Sequence, residues 1–285
     1  MSRIKWTEKK ITERQEAGYG EGSGTTYRPW LEIFDLSSTG RSRRVWSAKT
    51  GRTHHLFSDV EYDIFIAAEW SRSVIDIREQ YPLDREITQT IAHDLKIRHP
   101  HYPRTQVPTV MTVDFLLTVR TADGEDFIAL NAKRDEEAED ETSLEKLEIQ
   151  RSYFQALGQP HHLIYHSRIP PQKIANINWI RDAQLKSGEI EPHAGYYDQL
   201  KSRMALELAS YATADETPLA EYCTSFDLRY GVERGTGLRV ARMLMQERAL
   251  IANLDSPNLA NDPLGAFSMT SRAGRLRAVG GKNAL

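Results

Sequence analysis

The sequence predicts a mixed α/β domain followed by a smaller, mainly helical one. Three observations carry this. "TVDFLLTVRTADGEDFIALNAKR", Thr112 to Arg134, alternates apolar and polar residues around an "ADGED" turn, the pattern of an antiparallel hairpin. Up to Arg168 the patterns run helix, strand, hairpin, helix, strand, so a helix must cross between neighbouring strands. After Arg168 the strand signal fades and amphipathic helical patterns take over.

In chain order, residues 1–17 read as a polar helix. "GYGEGSGTTYRP" holds four glycines in twelve residues and reads as a flexible connector. It lacks G-x-x-x-x-G-K-[ST], so it is not a phosphate loop. "TGRSRRVWSAKTGRTHHL" crowds Arg41, Arg43, Arg44, Lys49 and Arg52 with Trp46, His54 and His55, and no acid falls between Arg41 and His55. A solvated hairpin and a phosphate-contacting surface both fit it. "SDVEYDIFIAAEW" reads as a helix opened by a Ser58-x-x-Glu61 capping box, with Val60, Ile64 and Ala67/Ala68 at helical spacing. "SVIDIREQYPL" is a strand. Residues 84–108, polar and rich in histidine and proline, read as an insertion or surface loop. The hairpin follows.

The acidic run Asp135–Glu141 reads as a solvated linker. It leads to a helix with a second capping box, Thr142-x-x-Glu145. Leu144, Leu147, Arg151 and Phe154 lie on one side of that helix, and Gly158 ends it. "HHLIYH" is a short strand. Beyond it, "PPQKIANINWI", "LKSRMALELASYA" and "GTGLRVARMLMQERALIANLD" are helical, in the manner of winged-helix or helix-turn-helix modules. The last stretch, with Arg272, Arg275 and Arg277 and no acid, reads as a disordered basic tail.

Bulk properties narrow the function. With 285 residues the chain fits two modest domains. A net charge of −3 argues against a tight, autonomous nucleic-acid binder, though not against local basic patches. The single cysteine, Cys223, rules out an intramolecular disulfide and a cysteine-rich zinc site. The charged start lacks the apolar core of a signal peptide, and no apolar run approaches a membrane span. A reducing, cytoplasmic setting is the expectation.

The residues that carry chemistry are Asp114, Asn131 and Lys133. Alternation puts Asn131 and Lys133 on one face of a strand. A turn centred on Asp123–Gly124 sets Asp114 opposite Lys133. The pair reads as a plain cross-strand ion pair, worth about 0–1 kcal/mol, or as part of a site. Glu61, on the upstream helix, adds a second carboxylate. Two carboxylates and a lysine suit Mg²⁺-assisted phosphodiester hydrolysis. The ion takes hard oxygen ligands, stabilises phosphoryl charge and activates water, and the lysine supports the developing charge.

Competing candidates are weaker. His54 and His55 point apart and favour phosphate contact or structure over ligation. Glu69 and Glu79 default to the surface. Asp59 and Asp63 flank Glu61 as rivals. His161, His162 and His166 lack a fourth ligand for zinc.

Five blocks together carry a family resemblance: "GRSRRVWSAKTGRTHHLFSDVEYDIFIAAEW", "SVIDIREQYPL", "TVDFLL", "LNAK" and "LEKLEIQRSYF". In their order and spacing the chain resembles the TnsA-type endonucleases of Tn-seven-like transposition systems, within the PD-(D/E)xK restriction-endonuclease-like superfamily. The resemblance implies a nuclease domain over residues 1–168, a winged-helix-like domain over 169–255 and a basic flexible tail over 256–285. It places the helix glutamate on Glu61, the strand aspartate on Asp114 and the lysine on Lys133. Asn131 stands where the family usually has glutamine or an acid. Glu61, Asp114 and Asn131 are then the expected ligands of Mg²⁺, with Mn²⁺ as a substitute.

Arg41, Arg43, Arg44, Lys49, Arg52, His54 and His55 are the expected DNA contacts. The implied role is nicking the 5′ ends of a transposon. A TnsB-type transposase would process the 3′ ends, and a TnsC-type AAA+ regulator would dock on the Arg272, Arg275 and Arg277 tail. A catalytically weak scaffold for DNA or partners is the alternative. A self-sufficient restriction enzyme is disfavoured by the near-neutral charge.

Overall fold

The computed structural model describes residues 4–35, 41–135, 141–186, 188–210 and 215–270. The chain divides into two units, Met1–Ile169 and Pro170–Leu285. The first runs α1 (Glu8–Glu16), β1 (Arg43–Ser47), β2 (Arg52–Leu56), α2 (Asp59–Trp70), β3 (Val74–Pro82), α3 (Arg85–Asp94), β4 (Thr112–Arg120), β5 (Glu125–Lys133), α4 (Glu141–Ala156) and β6 (His161–Tyr165). β1 and β2 form an antiparallel hairpin. The other strands form one sheet in the order β3-β4-β5-β6, antiparallel except for β5 and β6. The parallel pair requires a crossover, which α4 supplies.

β4 is the centre of this sheet. Every residue from Phe115 to Val119 is buried, so both of its faces are covered. Each large apolar side chain so buried contributes about 1.5–3 kcal/mol. That outweighs the polar residues at the strand's start and fixes where Asp114 must stand. Met111, Val113, Leu116 and Ala129 share a core with Ile149, Tyr153 and Phe154 of α4 and Ala92 of α3. A second cluster packs Trp6 flat on Tyr102 (centroids 4.4 Å apart) with Trp30 beside it.

Several expectations change. Arg120 pairs with Glu125, so residues 121–124 make the turn, closed by the Thr121 amide on the Gly124 carbonyl at 2.7 Å. The register therefore slides by two, and Asp114 comes level with Asn131 instead of Lys133. A slide of two keeps each side chain on its face. Residues 84–108 are not a loop throughout. Asp84 caps α3 by accepting from the Ile87 amide at 2.9 Å, and Thr88 and Ala92 are buried one turn apart. Tyr102 is buried further on. The apolar repeat of α3 is too sparse to stand out in the sequence.

The glycine-rich stretch is not a free connector either. It straps β3, one of the two outer strands of the sheet. Gly24 donates to Asp76 Oδ2 at 3.2 Å, the Tyr27 hydroxyl to the Glu79 carbonyl at 3.0 Å, and the Trp30 amide to the Gln80 carbonyl at 3.2 Å. Gly20, at φ +86°, lies so close to Pro82 that a Cβ would sit 2.2 Å from its Cγ. Glycine here serves close approach, not flexibility.

α4 already includes Glu141, so Thr142 lies within its first turn and cannot be the cap. An acid in that turn suits the helix dipole. Its buried face is Ile149, Gln150, Tyr153 and Phe154, whereas Leu144 is exposed. Gly158, at φ +68°, follows its end as expected.

The second unit contains α5 (Pro171–Arg181), α6 (Tyr196–Leu208), α7 (Leu219–Tyr230), α8 (Thr236–Gln246) and an antiparallel ribbon of β7 (Leu250–Ile251) and β8 (Ser268–Met269). It is helical, as expected, and the ribbon after α8 has the place of a wing. Buried Asp227 on α7 caps α8, accepting from the Gly235 amide at 2.7 Å and the Gly237 amide at 2.6 Å. Residues 256–270 are not tail. Leu259 and Leu264 are buried, and β8 pairs with β7. Arg272, Arg275 and Arg277 lie outside the described residues.

Candidate active site

The cavity of interest opens where the start of α2 meets the end of β5. It holds about 320 Å³ and is lined by Glu61, Asp114, Asn131, Lys133, Lys146 and Gln150, among others. Ser58 begins α2 by accepting from the Glu61 amide at 3.1 Å. The Glu61 carboxylate folds back, taking the Ser58 hydroxyl on Oε1 (3.1 Å) and the Phe57 amide on Oε2 (2.9 Å). The Ser58 amide, its expected partner, is replaced by that of Phe57. Glu61 is thereby buried at 6% exposure, inside the site rather than on the helix surface.

Asp114 is held from β5 and β3. Its Oδ2 accepts from the Ala132 amide at 2.7 Å, and its Oδ1 from Gln80 Nε2 at 3.4 Å. Lys133 ends β5 and is half-buried. The Asn131 side chain is not presented as the expected ligand. Its Oδ1 accepts from the Asp114 amide at 3.2 Å, and its Nδ2 donates to Gln150 Oε1 at 2.6 Å and to His161 Nε2 at 3.2 Å. The two-residue register slide accounts for this, because it puts Asn131 beside the Asp114 backbone.

The two carboxylates feel each other. Burial, and next the charge of Asp114, push Glu61 up to about 8 from an ordinary 4.5, against the bonds from Phe57 and Ser58. Buried Glu61 and half-buried Asp114, two mutually repelling oxygen donors beside room for water, fit a hard divalent cation such as Mg²⁺. Among the described residues, no three of His, Cys, Asp and Glu gather to hold a metal.

A pH dependence follows. An unfolded glutamate releases its proton near 4.5, whereas folded Glu61 keeps it to about 8. Between those values the folded state binds the extra proton, so metal-free stability falls as pH rises and the loss is complete near pH 8. The size is on the order of 2–4 kcal/mol. Melts in chelator from pH 5 to 8.5 should show this slope in wild type and a flatter one in Glu61→Gln. Equal slopes would refute the assignment.

The expected DNA set divides. Arg52 and His54 are buried and cannot reach DNA. Arg52 donates to Glu79 at 2.8 and 2.6 Å, and His54 Nδ1 meets Glu79 Oε2 at 2.8 Å, with Thr50 on its other nitrogen at 2.7 Å. Glu79, expected at the surface, is the fully buried hub. Burial pushes its carboxyl up, but His54 and Arg52 pull it down further, to about 2. Lys49 binds the carbonyls of Ala68 (3.0 Å), Ser71 and Val74 (2.6 Å), closing the end of α2. His55 is half-buried and accepts from the Ile33 amide at 3.2 Å. Arg43 pairs with Asp59 and covers the Tyr62 ring at 4.1 Å. Asp63 faces His166 at 3.7 Å. Arg41 and Arg44 remain exposed, and Trp46, two residues along β1 from Arg44, is 59% exposed.

Gln80 and Gln150 escaped sequence reasoning. Gln150 carried a faint signal, a polar residue between Ile149 and Tyr153 on a buried helix face. Gln80 carried none.

Two family models match the chain. One described as "TnsA-like endonuclease N terminal" covers residues 71–166, and one described as "TnsA endonuclease C terminal" covers residues 168–254. Asp114, Asn131 and Lys133 fall inside the first; Glu61 precedes it. The chain is also similar to the Escherichia coli protein "Transposon Tn7 transposition protein TnsA". They are 36% identical over 248 residues, 87% of this chain and 85% of that one. No helix among the described residues is long and apolar enough to cross a membrane.

Proposed function

Because the chain belongs to the TnsA family of transposition endonucleases, we propose that it is the Mg²⁺-dependent subunit that hydrolyses phosphodiesters at the 5′ ends of a transposon. The observation that carries this reading is the carboxylate pair, buried Glu61 and half-buried Asp114, sharing a cavity with Lys133. Glu61 and Asp114 would hold the ion, which supplies charge neutralisation at the scissile phosphate and acidifies a water there. Asp114 is steadied by the Ala132 amide and Glu61 by Phe57 and Ser58, so neither carboxylate must reorganise during reaction. Lys133 brings an ammonium to the charge that develops on the phosphoryl oxygens. Lys146 and Arg134, also on the cavity wall, suit the neighbouring phosphates.

Arg41 and Arg44, with Trp46 on the same hairpin, are the DNA-facing surface in this reading. The partners are a TnsB-type transposase, which handles the 3′ ends, and a TnsC-type AAA+ regulator docked on Arg272, Arg275 and Arg277. A net charge of −3 supports dependence on such partners for DNA affinity.

The test is strand-specific cleavage of a transposon-end duplex labelled on either strand, with Mg²⁺, with and without the partner transposase. The expected product is a nick at the 5′ end that needs both the ion and the partner. Cleavage at the 3′ end instead would reverse the division of labour. No cleavage in a competent assembly would make the chain a scaffold.

A further inference from the structure

We propose that Gln80, Asn131 and Gln150 form a positioning ring for Asp114: they set the carboxylate for the metal without binding the metal themselves. This rests on the metal-dependent reading above.

The hydrogen bonds close a circuit. Gln80 Nε2 donates to Asp114 Oδ1 (3.4 Å), and the Asp114 amide donates to Asn131 Oδ1 (3.2 Å). Asn131 Nδ2 donates to Gln150 Oε1 (2.6 Å), and Gln150 Nε2 to the Thr112 carbonyl (2.7 Å). The Thr112 hydroxyl, two residues before Asp114, donates back to Gln80 Oε1 (3.2 Å). The circuit ties β3, β4, β5 and α4 together around one acid. All three amides are at least nine-tenths buried.

The direction of each amide is determined by its partners. A backbone N–H can only donate, so Asn131 must turn its oxygen to Asp114. A backbone carbonyl can only accept, so Gln150 must turn its nitrogen to Thr112. With Oδ1 on Asp114 and both Nδ2 protons engaged by Gln150 and His161, the Asn131 amide is occupied as a brace.

Gln80 adds an independent sign. It is a non-glycine residue at φ +47° inside a strand. Such a conformation costs about 1–3 kcal/mol and persists where surroundings impose it, commonly at functional sites. Its side chain is what the strain secures, since its amide reaches both Thr112 and Asp114. The ring is also uncharged. An acid at any of the three positions would add a third carboxylate beside Glu61 and Asp114 and remove a donor.

The experiment uses the full chain with Gln80→Gly and Gln150→Ala. Mn²⁺ binding is read by electron paramagnetic resonance titration and folding by thermal melts. The Mg²⁺ dependence of cleavage is read in the partner-containing assembly. Glycine relieves the positive φ and so offsets part of the cost of losing the buried amide, and Gln80→Gly should remain folded at the assay temperature. Both variants should still bind Mn²⁺ roughly 10-fold more weakly and need correspondingly more Mg²⁺, the usual scale for residues that orient ligands. Cleavage should recover at saturating Mg²⁺. Wild-type metal affinity in both variants overturns the ring while leaving the metal reading intact. So does weaker binding that merely follows a lost fold in both. A wild-type chain that binds no Mn²⁺ removes the metal reading and the ring with it.

Discussion

Replacing Asp114 with asparagine should remove strand cleavage, by roughly 10³-fold or more, and leave the fold intact. The metal's contribution to transition-state charge is several kcal/mol, and about 1.4 kcal/mol is a factor of ten in rate. Asparagine keeps an oxygen for the Ala132 amide, so the local backbone has no reason to move. What disappears is one of the two carboxylates proposed to hold the ion. The loss should come with a second effect. Asp114 is the main charge that raises Glu61, after burial itself. Without it Glu61 should titrate lower, and the metal-free variant should be as stable as wild type or more so near pH 8. Single-turnover cleavage in the assembled complex and melts at pH 8 read both effects. Cleavage within about tenfold of wild type would exclude Asp114 from the proposed site.

Glu79→Ala should be the most damaging single change to stability, at about 3–5 kcal/mol, the cost of breaking a buried ion pair from one side. Arg52 is 8% exposed and His54 wholly buried, so neither can turn to water when Glu79 is gone. The His55 amide, which donates to Glu79 Oε1 at 3.1 Å, would also lose its acceptor. Glu79→Gln preserves the shape and one acceptor and should cost less. Urea unfolding of the three proteins at neutral pH would measure the order. If both variants lie within about 1 kcal/mol of wild type, the network is worth no more than an exposed pair. The acid contributes above its ordinary 4.5, and that stability is lost as pH falls towards about 2, so the difference should narrow in acid.

The parts of the fold legible in the sequence were those with a strong local period or a cap: the hairpin, α2 behind Ser58, and a crossing helix before "HHLIYH". The register of the hairpin was not, because a turn containing Asp123–Gly124 fits a two-residue or a four-residue loop equally well. α3 was missed because two buried positions in ten residues do not make a periodic signal. The glycine run looks like slack because composition does not distinguish glycine that frees a chain from glycine that lets it lie close.

At the site, Glu61, Asp114 and Lys133 were legible as residue types and do line one cavity. The direction of the Asn131 amide was not, since it depends on Gln150, nineteen residues away on another element. The basic cluster misled for a related reason. Arg52 and His54 look like surface cations until Glu79, distant in sequence, is found beneath them.

The strap across β3 has a consequence for how this nuclease unit can be dissected. Asp114, Asn131 and Lys133 lie within residues 71–166, so a protein engineer would be tempted to express that segment by itself. Such a fragment would lose the Tyr27 and Trp30 bonds to β3, leaving the carbonyls of Glu79 and Gln80 without those donors. A bare outer strand is a template for another copy's strand. The minimal unit would therefore fail first by self-association. The glycine-rich leader is best regarded as the sheet's selvedge, the finished margin that keeps the cloth from fraying.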